Sequence, residues 1–142
     1  MDTNILVYAH RREAREHSRA RELLADLAEG NEPWAIPWPC IYEFFSVVTN
    51  ARIWKDVATT PSQAWRQIAA WSGSPSLRLL SENRDSLSTL QSLLQRPRVR
   101  GPIVHDARIV ALCLDAGVSE LFTRDRDFSL FPELPRVDPF AA

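Results

Sequence analysis

Five acidic residues of this 142-residue chain are the side chains best placed to do chemistry, because they lie where strands are expected to end or helices to begin. In an open parallel sheet, ligands bind beyond the carboxyl ends of the strands. Several carboxylates at one such edge repel one another unless a cation neutralises them. Oxygen ligands suit Mg²⁺ or Mn²⁺ better than zinc, and those ions are often shared with substrate phosphates. The five residues are Asp2, Glu43, Asp106, Asp125 and Asp127.

Helix formation alone offers a second explanation for two of these residues. We expect Glu43 and Asp106 to lie in the first turns of their helices. The helix dipole favours acidic residues there by roughly 0.3 to 1 kcal/mol. The hypothesis of a metal site for phosphate chemistry therefore depends on the whole set of carboxylates and not on either of these two.

The elements that must position these carboxylates alternate between helices and strands. Segment 5–8 fits either a strand or the first turn of a helix capped by Asp2, Thr3 or Asn4. Strands alternating with helices predict a parallel sheet covered on both faces. We therefore expect an α/β fold, with three α/β/α layers around a mostly parallel central sheet, in a single domain over 1–142. The expected helices span 13–29, 39–50, 61–72, 87–94 and 103–116, and the expected strands span 34–36, 77–80 and 121–123, with Val137 in a last edge strand.

Composition bounds the class of protein. The chain has 17 Lys and Arg against 18 Asp and Glu, so any phosphate binding must be local. A hydrophobic content of 45% is typical of a globular domain and argues against a disordered or disulfide-dense chain. Cys40 and Cys113 form no C-x-x-C pair, and we expect both to be buried free thiols. The sequence shows neither a long apolar span nor a signal-peptide pattern, which predicts a cytoplasmic protein.

Four short motifs, in order along the chain, resemble those of a known family. They are Asp2-Thr3-Asn4 followed by Ile-Leu-Val-Tyr-Ala, Glu43 within Pro-Cys-Ile-Tyr-Glu-Phe, Asp106 within His-Asp-Ala-Arg-Ile-Val-Ala, and Thr123-Arg-Asp125-Arg-Asp127-Phe. The ordered set resembles the PIN-domain ribonucleases and is most similar to the VapC toxins of bacterial toxin–antitoxin pairs. Each motif alone is weak, but their order across nearly the whole chain is specific.

The resemblance implies a function and a role for each matching residue. Asp2, Glu43, Asp106 and Asp125 correspond to the acidic quartet that binds Mg²⁺ or Mn²⁺ in a metal-dependent endoribonuclease. Asp127 matches a further acidic position, so that the implied metal ligands are Asp2, Asp106, Asp125 and Asp127. Asn4 and Thr123 match polar residues that orient the site. The implied partners are an RNA substrate (tRNA, rRNA or mRNA), a cognate antitoxin and a second copy of the chain in a homodimer.

Two positions depart from the family pattern. A strand of several apolar residues normally precedes the first aspartate, whereas here only Met1 does. Either the true start lies upstream, or the central strand is short and the α-ammonium group lies beside the acidic cluster, where its charge would weaken metal binding. Cys40 stands where a hydroxyl residue is common, and we expect no change in the chemistry.

Basic and aromatic residues suggest where RNA binds. Arg96, Arg98 and Arg100 have no acidic neighbours in the sequence and lie in a loop leading to Asp106, which suits a phosphate backbone. Five tryptophans are available to stack on unpaired bases. We expect most of them in the core, including those at 65 and 71, and take Trp38 as the candidate for exposure. Arginines also crowd segment 11–21, but glutamates interleave with them, which is typical of a solvated helix face.

Two other classes of function fit parts of the pattern. Asp-x-Asn at the start of an α/β chain also suggests an aspartyl-phosphate phosphatase or a receiver domain. Those proteins normally place a lysine on the phosphoryl group, and Lys55, the only lysine, lies in a poorly patterned stretch. The remaining alternative is a catalytically degenerate binding partner whose acidic cluster is structural.

Overall fold

The structure is a computed structural model that describes residues 1–142, and it alternates helices with short strands. Two short 3-10 helices, Lys55–Val57 and Arg126–Leu130, complete the regular elements. No helix has the length and apolar character that crossing a membrane requires. The elements in order are α1 (Thr3–His10), α2 (His17–Glu29), β1 (Trp34–Pro37), α3 (Trp38–Val48), α4 (Ala51–Trp54), α5 (Pro61–Ser72), β2 (Leu77–Leu80), α6 (Ser86–Leu94), α7 (Ile103–Asp115), β3 (Leu121–Phe122) and β4 (Arg136–Val137).

All strand pairs are parallel, as the alternating pattern predicts. β1 pairs with β2, and β3 pairs with β4, in two separate two-stranded sheets. The first two residues bridge these sheets. The amino group of Met1 donates to the carbonyl of Ala35 in β1 at 2.9 Å, and the N–H of Asp2 donates to the carbonyl of Phe122 in β3 at 3.0 Å. The α/β class is therefore confirmed, with two parallel pairs joined through the beginning of the chain.

The segment that the sequence left open between strand and helix is helical. The carboxylate of Asp2 accepts a hydrogen bond from the N–H of Thr3 at 2.7 Å and caps α1. The apolar side chains of Ile5 and Leu6 in α1 are fully buried. Asp2, the first residue of the acidic set, is thus also the N-terminal cap of a helix that packs in the core.

Two predicted helix boundaries are wrong. The helix expected from residue 13 begins at His17, because Arg11 turns into the interior and donates to the carbonyl of Val57 at 2.8 Å. Segment 11–16 consequently forms turns. The helix expected to continue to residue 50 ends at Val48, because Asn50 instead caps α4 by accepting from the N–H of Arg52.

Helix α5 begins where the sequence predicts but orients one aromatic residue differently. Thr60, directly before Pro61, forms a capping box with Gln63 in the first turn, as expected of a Thr-Pro start. Trp71 is buried, whereas Trp65 is 63% exposed. The expectation that both aromatics face the core is therefore wrong for Trp65. Its position three residues from Ile68 is compatible with a core face, but the neighbouring elements do not reach it.

The hydrophobic core is one cluster of 29 buried residues, and Phe44 of α3 is among its largest fully buried side chains. The Phe44 ring is fully buried and packs edge-on against Trp71, with the ring centroids 4.9 Å apart. The imidazole of His10 also packs edge-on against the Phe44 ring, with the ring centroids 5.4 Å apart. This ring therefore ties α1, α3 and α5 together.

Replacing Phe44 with alanine should destabilise the protein by about 3–5 kcal/mol, because a large buried ring leaves a cavity that the surroundings only partly close. Urea unfolding measures the change. Trp65→Ala is the matched control, since it removes an exposed aromatic, and we expect it to change the free energy of unfolding by less than about 1 kcal/mol. Similar losses for both variants would contradict this description of the core.

Candidate metal and active site

Three carboxylates converge at one point of the structure. Asp106 lies in the first turn of α7, and Asp125 and Asp127 follow β3. One oxygen from each of these side chains lies within 4.8 Å of the other two. Asp106 and Asp125 are partly buried and Asp127 is exposed, so the group opens to solvent on one side. We call these three residues the carboxylate cluster.

A chain of hydrogen bonds positions the part of the cluster that follows β3. The side chain of Asp125 accepts from the N–H of Asp127 at 2.9 Å, which caps the short helix there. The N–H of Asp125 in turn donates to the hydroxyl of Thr123 at 2.9 Å. Because Thr123 is fully buried, this turn is fixed to the core at one end.

Asp2 lies beside the cluster but outside the group of three. Asp2 is 5% exposed, and one of its carboxylate oxygens accepts from the Thr123 hydroxyl at 2.6 Å and from the Asn4 amide at 2.8 Å. The Asn4 amide also donates to the Thr123 hydroxyl at 3.0 Å. Asn4 and Thr123 therefore orient Asp2, which is the kind of contact that the resemblance implies for them.

Glu43 approaches the site from α3 and is held by Thr3, which the sequence indicated only as a possible cap of the first helix. The Thr3 hydroxyl donates to the Glu43 carboxylate at 2.9 Å. Glu43 is the sixth residue of α3 and lies in its second turn, so the expectation of a first-turn position is wrong. The helix dipole therefore does not explain this carboxylate. The only indication in the sequence that Thr3 contacts another element was its position beside Asp2 at the start of a helix, where side chains face neighbouring elements.

Crowded negative charge dominates the electrostatics of the site. Burial and, after it, the neighbouring carboxylates, first that of Asp125, together raise the pKa of Asp106 to about 7. Burial also raises the pKa of Asp2, against the hydrogen bonds from Thr123 and from the N–H of Thr3 that lower it. No arginine, lysine or histidine forms an ion pair with any of the five predicted carboxylates. Arg124, which precedes Asp125 in the sequence, instead pairs with Glu16 and Asp138.

The two departures from the family pattern both lie against Asp2. The thiol of Cys40 is 3.9 Å from a carboxylate oxygen of Asp2, and its burial raises the thiol pKa, so Cys40 is a neutral neighbour. The positive amino group of Met1 acts to lower the Asp2 pKa while donating to the carbonyl of Ala35. Cys113 is likewise a buried free thiol, as the sequence predicts.

The predicted RNA-binding residues lie in two places. In the loop after α6, Arg96 pairs with Glu133, which the absence of acidic neighbours in the sequence did not predict. Arg98 is exposed, and Arg100 donates to the carbonyl of Pro97 at 2.8 Å. At the start of α3, Trp38 is 36% exposed and packs against Tyr42 with 6.2 Å between ring centroids.

Comparison with known proteins agrees with this arrangement. A model of the PIN domain family matches residues 1–134. The chain belongs to the PIN-domain family.

Relatives in sequence give a more particular placement. The chain is 33% identical over 134 residues to VapC ribonuclease Mb2897 of Mycobacterium bovis, an alignment that covers 94% of this chain and 90% of that protein. It is 26% identical over 140 residues to ribonuclease VapC48 of Mycobacterium tuberculosis, covering 99% and 96% of the two chains. Within the PIN domains it is therefore a member of the VapC group.

Solved structures support the fold. The crystal structure of Mycobacterium tuberculosis VapC20, a toxin that cleaves the sarcin–ricin loop, matches with a TM-score of 0.65 at 19% identity over 90% of both chains. VapBC2 from Rickettsia felis, solved with a DNA fragment from the promoter, matches with a TM-score of 0.64 at 21% identity, covering 95% and 93%. The fold of this chain is the PIN fold of these toxins.

The unneutralised cluster should destabilise the metal-free protein at neutral pH. Because the folded-state pKa of Asp106, about 7, lies above the value of about 4 for an unfolded aspartate, the folded state binds more protons between these values. Stability therefore falls as pH rises through this window. We expect Asp106→Asn to raise the melting temperature in EDTA at pH 7.5 and to raise it less at pH 5.

Asp115→Asn is the matched control for that measurement, because it removes an exposed carboxylate from the other end of the same helix. We expect Asp115→Asn to leave the melting temperature nearly unchanged at both pH values. A wild-type protein as stable as Asp106→Asn at pH 7.5 would show that the carboxylates do not repel one another as described.

Proposed function

We propose that this protein is a metal-dependent endoribonuclease that acts as the toxin of a toxin–antitoxin pair. The observation that carries the proposal is the carboxylate cluster, three acidic side chains within 4.8 Å with no cationic partner. The VapC relatives in sequence support ribonuclease activity. We further propose that residues 1–142 form one nuclease domain, supported by the single hydrophobic core.

The donor set of the site fits Mg²⁺ or Mn²⁺. Every candidate ligand is a carboxylate oxygen, the type that hard divalent cations prefer. We propose that Asp106, Asp125 and Asp127 hold the ion, with Asp2 completing the set from its buried position. When bound, a divalent ion would stabilise the negative charge that develops on the phosphate during hydrolysis and would lower the pKa of a water molecule bound to it.

The chain's own residues then have distinct tasks. Glu43 is exposed, and Thr3 holds one of its two oxygens, so the other is available to accept a proton from an attacking water. Asn4 and Thr123 keep Asp2 from rotating, which preserves the geometry of the ligands. The hydrolysed bond is the phosphodiester of RNA, and the proposed catalytic residues are Asp2, Glu43, Asp106 and Asp125.

The alternative functions have less support. An aspartyl-phosphate chemistry at Asp2 needs a lysine near the phosphoryl group, but Lys55 lies in the short helix whose Val57 contacts Arg11, beyond the other end of α1. The relatives are ribonucleases and not phosphatases or receivers. A degenerate binding partner has no need to keep several carboxylates together without a counter-charge.

Cleavage should depend on the cluster and on the ion. We expect Asp106→Asn and Asp125→Asn each to lower the rate of cleavage of total cellular RNA more than about 100-fold in Mg²⁺ or Mn²⁺. Such a loss exceeds the roughly 10- to 100-fold loss typical when a residue that only hydrogen-bonds to a metal ligand is replaced. EDTA should abolish wild-type cleavage. Gel analysis with end mapping measures the products, and titration calorimetry with Mn²⁺ measures ion binding directly.

Asp115→Asn serves here too as the control, because it changes the same residue type on α7 away from the cluster. It should cleave like the wild type. Full cleavage by both cluster variants, or cleavage that persists in EDTA, would overturn the proposed function.

We propose that RNA reaches the site across the start of α3 and the loop 95–102. Trp38 and Tyr42 form an exposed aromatic pair on α3, and Glu43 follows directly in the chain. Unpaired RNA bases stack on such surfaces. Arg98 and Arg100 are exposed in the loop before α7 and are available to a phosphate backbone, with Arg96 already paired to Glu133.

Removing either ring of the aromatic pair should weaken substrate binding. Base stacking is worth about 1–3 kcal/mol per base, so we expect Trp38→Ala and Tyr42→Ala to raise KM about tenfold, with a smaller change in kcat. Tyr42→Phe should retain binding because it keeps the ring. Trp65→Ala removes a still more exposed tryptophan on α5 and should leave KM unchanged, whereas equal effects of all three alanine variants would exclude a specific stacking role.

Partners follow from the same proposal. We propose that a cognate antitoxin covers the carboxylates, since an arginine from such a protein is a natural counter-charge. The match to a VapBC structure supports a partner of this kind. We also propose a homodimer that acts in the cytoplasm on tRNA, rRNA or mRNA.

A further inference from the structure

A second polar cleft lies at the opposite end of α1 from the carboxylates. It has a volume of about 740 Å³ and is lined by the C-terminal end of α1, the following turns, α2, residues 57–59 and α5. Helix α1 has eight residues, and at 1.5 Å per residue its two ends are about 12 Å apart. We call this cavity the basic cleft.

A buried arginine forms the floor of the basic cleft. Arg11 is 5% exposed, donates to the carbonyl of Val57 at 2.8 Å and to the hydroxyl of Thr59 at 3.1 Å, and lies 4.0 Å from the ring centre of Trp54. Its Nε is buried without a hydrogen-bond partner. Glu13, more than half exposed, is its one ion-pair partner. Neutral groups therefore supply most of the hydrogen bonds to Arg11, and its one counter-charge is the exposed carboxylate of Glu13.

Three more arginines line the rim of the basic cleft. Arg12, Arg21 and Arg66 are exposed, and none of them forms an ion pair. Four guanidinium groups thus face the cleft against the single carboxylate of Glu13. Guanidinium forks match phosphate oxygens, and unpaired ones keep all their donors available.

We propose that the basic cleft binds backbone phosphates of single-stranded RNA and holds the substrate a few nucleotides away from the site of cleavage. The inference rests on the proposed ribonuclease function, because it assigns the flank of that substrate to this surface. A nucleic-acid strand carries a phosphate about every 3.4 Å along a duplex axis, so a distance of about 12 Å corresponds to only a few nucleotides.

The lining favours nucleic acid over an acidic protein. Only five of the 15 lining residues are hydrophobic, and none of the 15 is Phe, Tyr or Trp. Protein interfaces have cores enriched in aromatic residues and depleted of charge. A surface rich in arginine and poor in apolar anchors instead matches the sequence-independent charge of a phosphate backbone.

The test measures binding without cleavage, in the Asp106→Asn background. The probe is a fluorescent single-stranded RNA of about 16 nucleotides, titrated at several salt concentrations and followed by anisotropy. The cleft variant carries Arg12→Gln, Arg21→Gln and Arg66→Gln. Because single-strand binding changes by about 0.7 in log–log salt slope per phosphate contact, losing three contacts should reduce the slope by about 2 and weaken binding at least tenfold at low salt.

The control variant removes the same charge elsewhere, through Arg52→Gln, Arg78→Gln and Arg136→Gln, which also lack ion pairs and lie outside the cleft. It should keep most of the affinity and the salt slope. All six arginines lack ion pairs and all but the half-buried Arg136 are exposed, so we expect both variants to melt close to the parent protein. Arg66→Gln alone, with about one third of the effect on the slope, keeps the test valid if the triple variant is unstable.

The outcomes separate this inference from the proposed function. If the wild type cleaves RNA and the cleft variant keeps the parent's RNA affinity and salt slope, RNA binding at the basic cleft is overturned and the proposed ribonuclease function is retained. Wild-type protein that cleaves no RNA, with binding still lost in the cleft variant, overturns the proposed function and supports phosphate binding at the cleft. A cleft variant that keeps RNA affinity but loses its co-expressed antitoxin assigns the surface to protein and overturns the inference.

Discussion

One buried carboxylate, that of Asp2, connects parts of the chain that are far apart in sequence. It caps α1 through the N–H of Thr3, and it accepts a hydrogen bond from Thr123, which lies 121 residues further along. The backbone N–H of the same residue donates to β3. Because a buried charge is costly unless it is fully hydrogen-bonded, the loss of any one of these hydrogen bonds would lower the stability of the folded state. The turn that carries Asp125 is therefore fixed relative to α1 by the need to satisfy Asp2.

This constraint explains how the fold tolerates a site that opposes its stability. The carboxylate cluster brings together charges that repel, and no arginine in the chain relieves them. The opposing energy is supplied by the core beneath, where Phe44 and its aromatic neighbours pack, and by the hydrogen bonds around Thr123. Sites that bind charged ligands commonly carry such local strain, because the ligand and not the protein completes the charge balance.

The sequence predicts the elements of this protein well and the directions of individual side chains less well. Helix caps such as Thr60 and strands such as 77–80 depend on local signals, and both are confirmed. Two features depend on residues 37 or more positions away in the chain, namely the inward turn of Arg11 and the pairing of Arg96 with Glu133. The exposure of Trp65 depends on the absence of a neighbouring element that covers it. No local pattern contains that information. The approach of Asp106 to Asp125 was foreseeable because Asp106 lies at a predicted helix start and Asp125 follows a predicted strand, whereas the contact between Thr3 and Glu43 was not.

Helix α1 separates the two kinds of charge on which the proposed function depends. Asp2 caps its N-terminus and Arg11 follows its C-terminus, and both placements are favourable to the helix dipole. These two residues therefore stabilise the helix whether or not a ligand is bound. Arg12, Arg21 and Arg66 have no such role, since they make no ion pair or cap. Charges that contribute nothing to the folded chain and yet gather around one cleft are best explained by a ligand that carries the opposite charge.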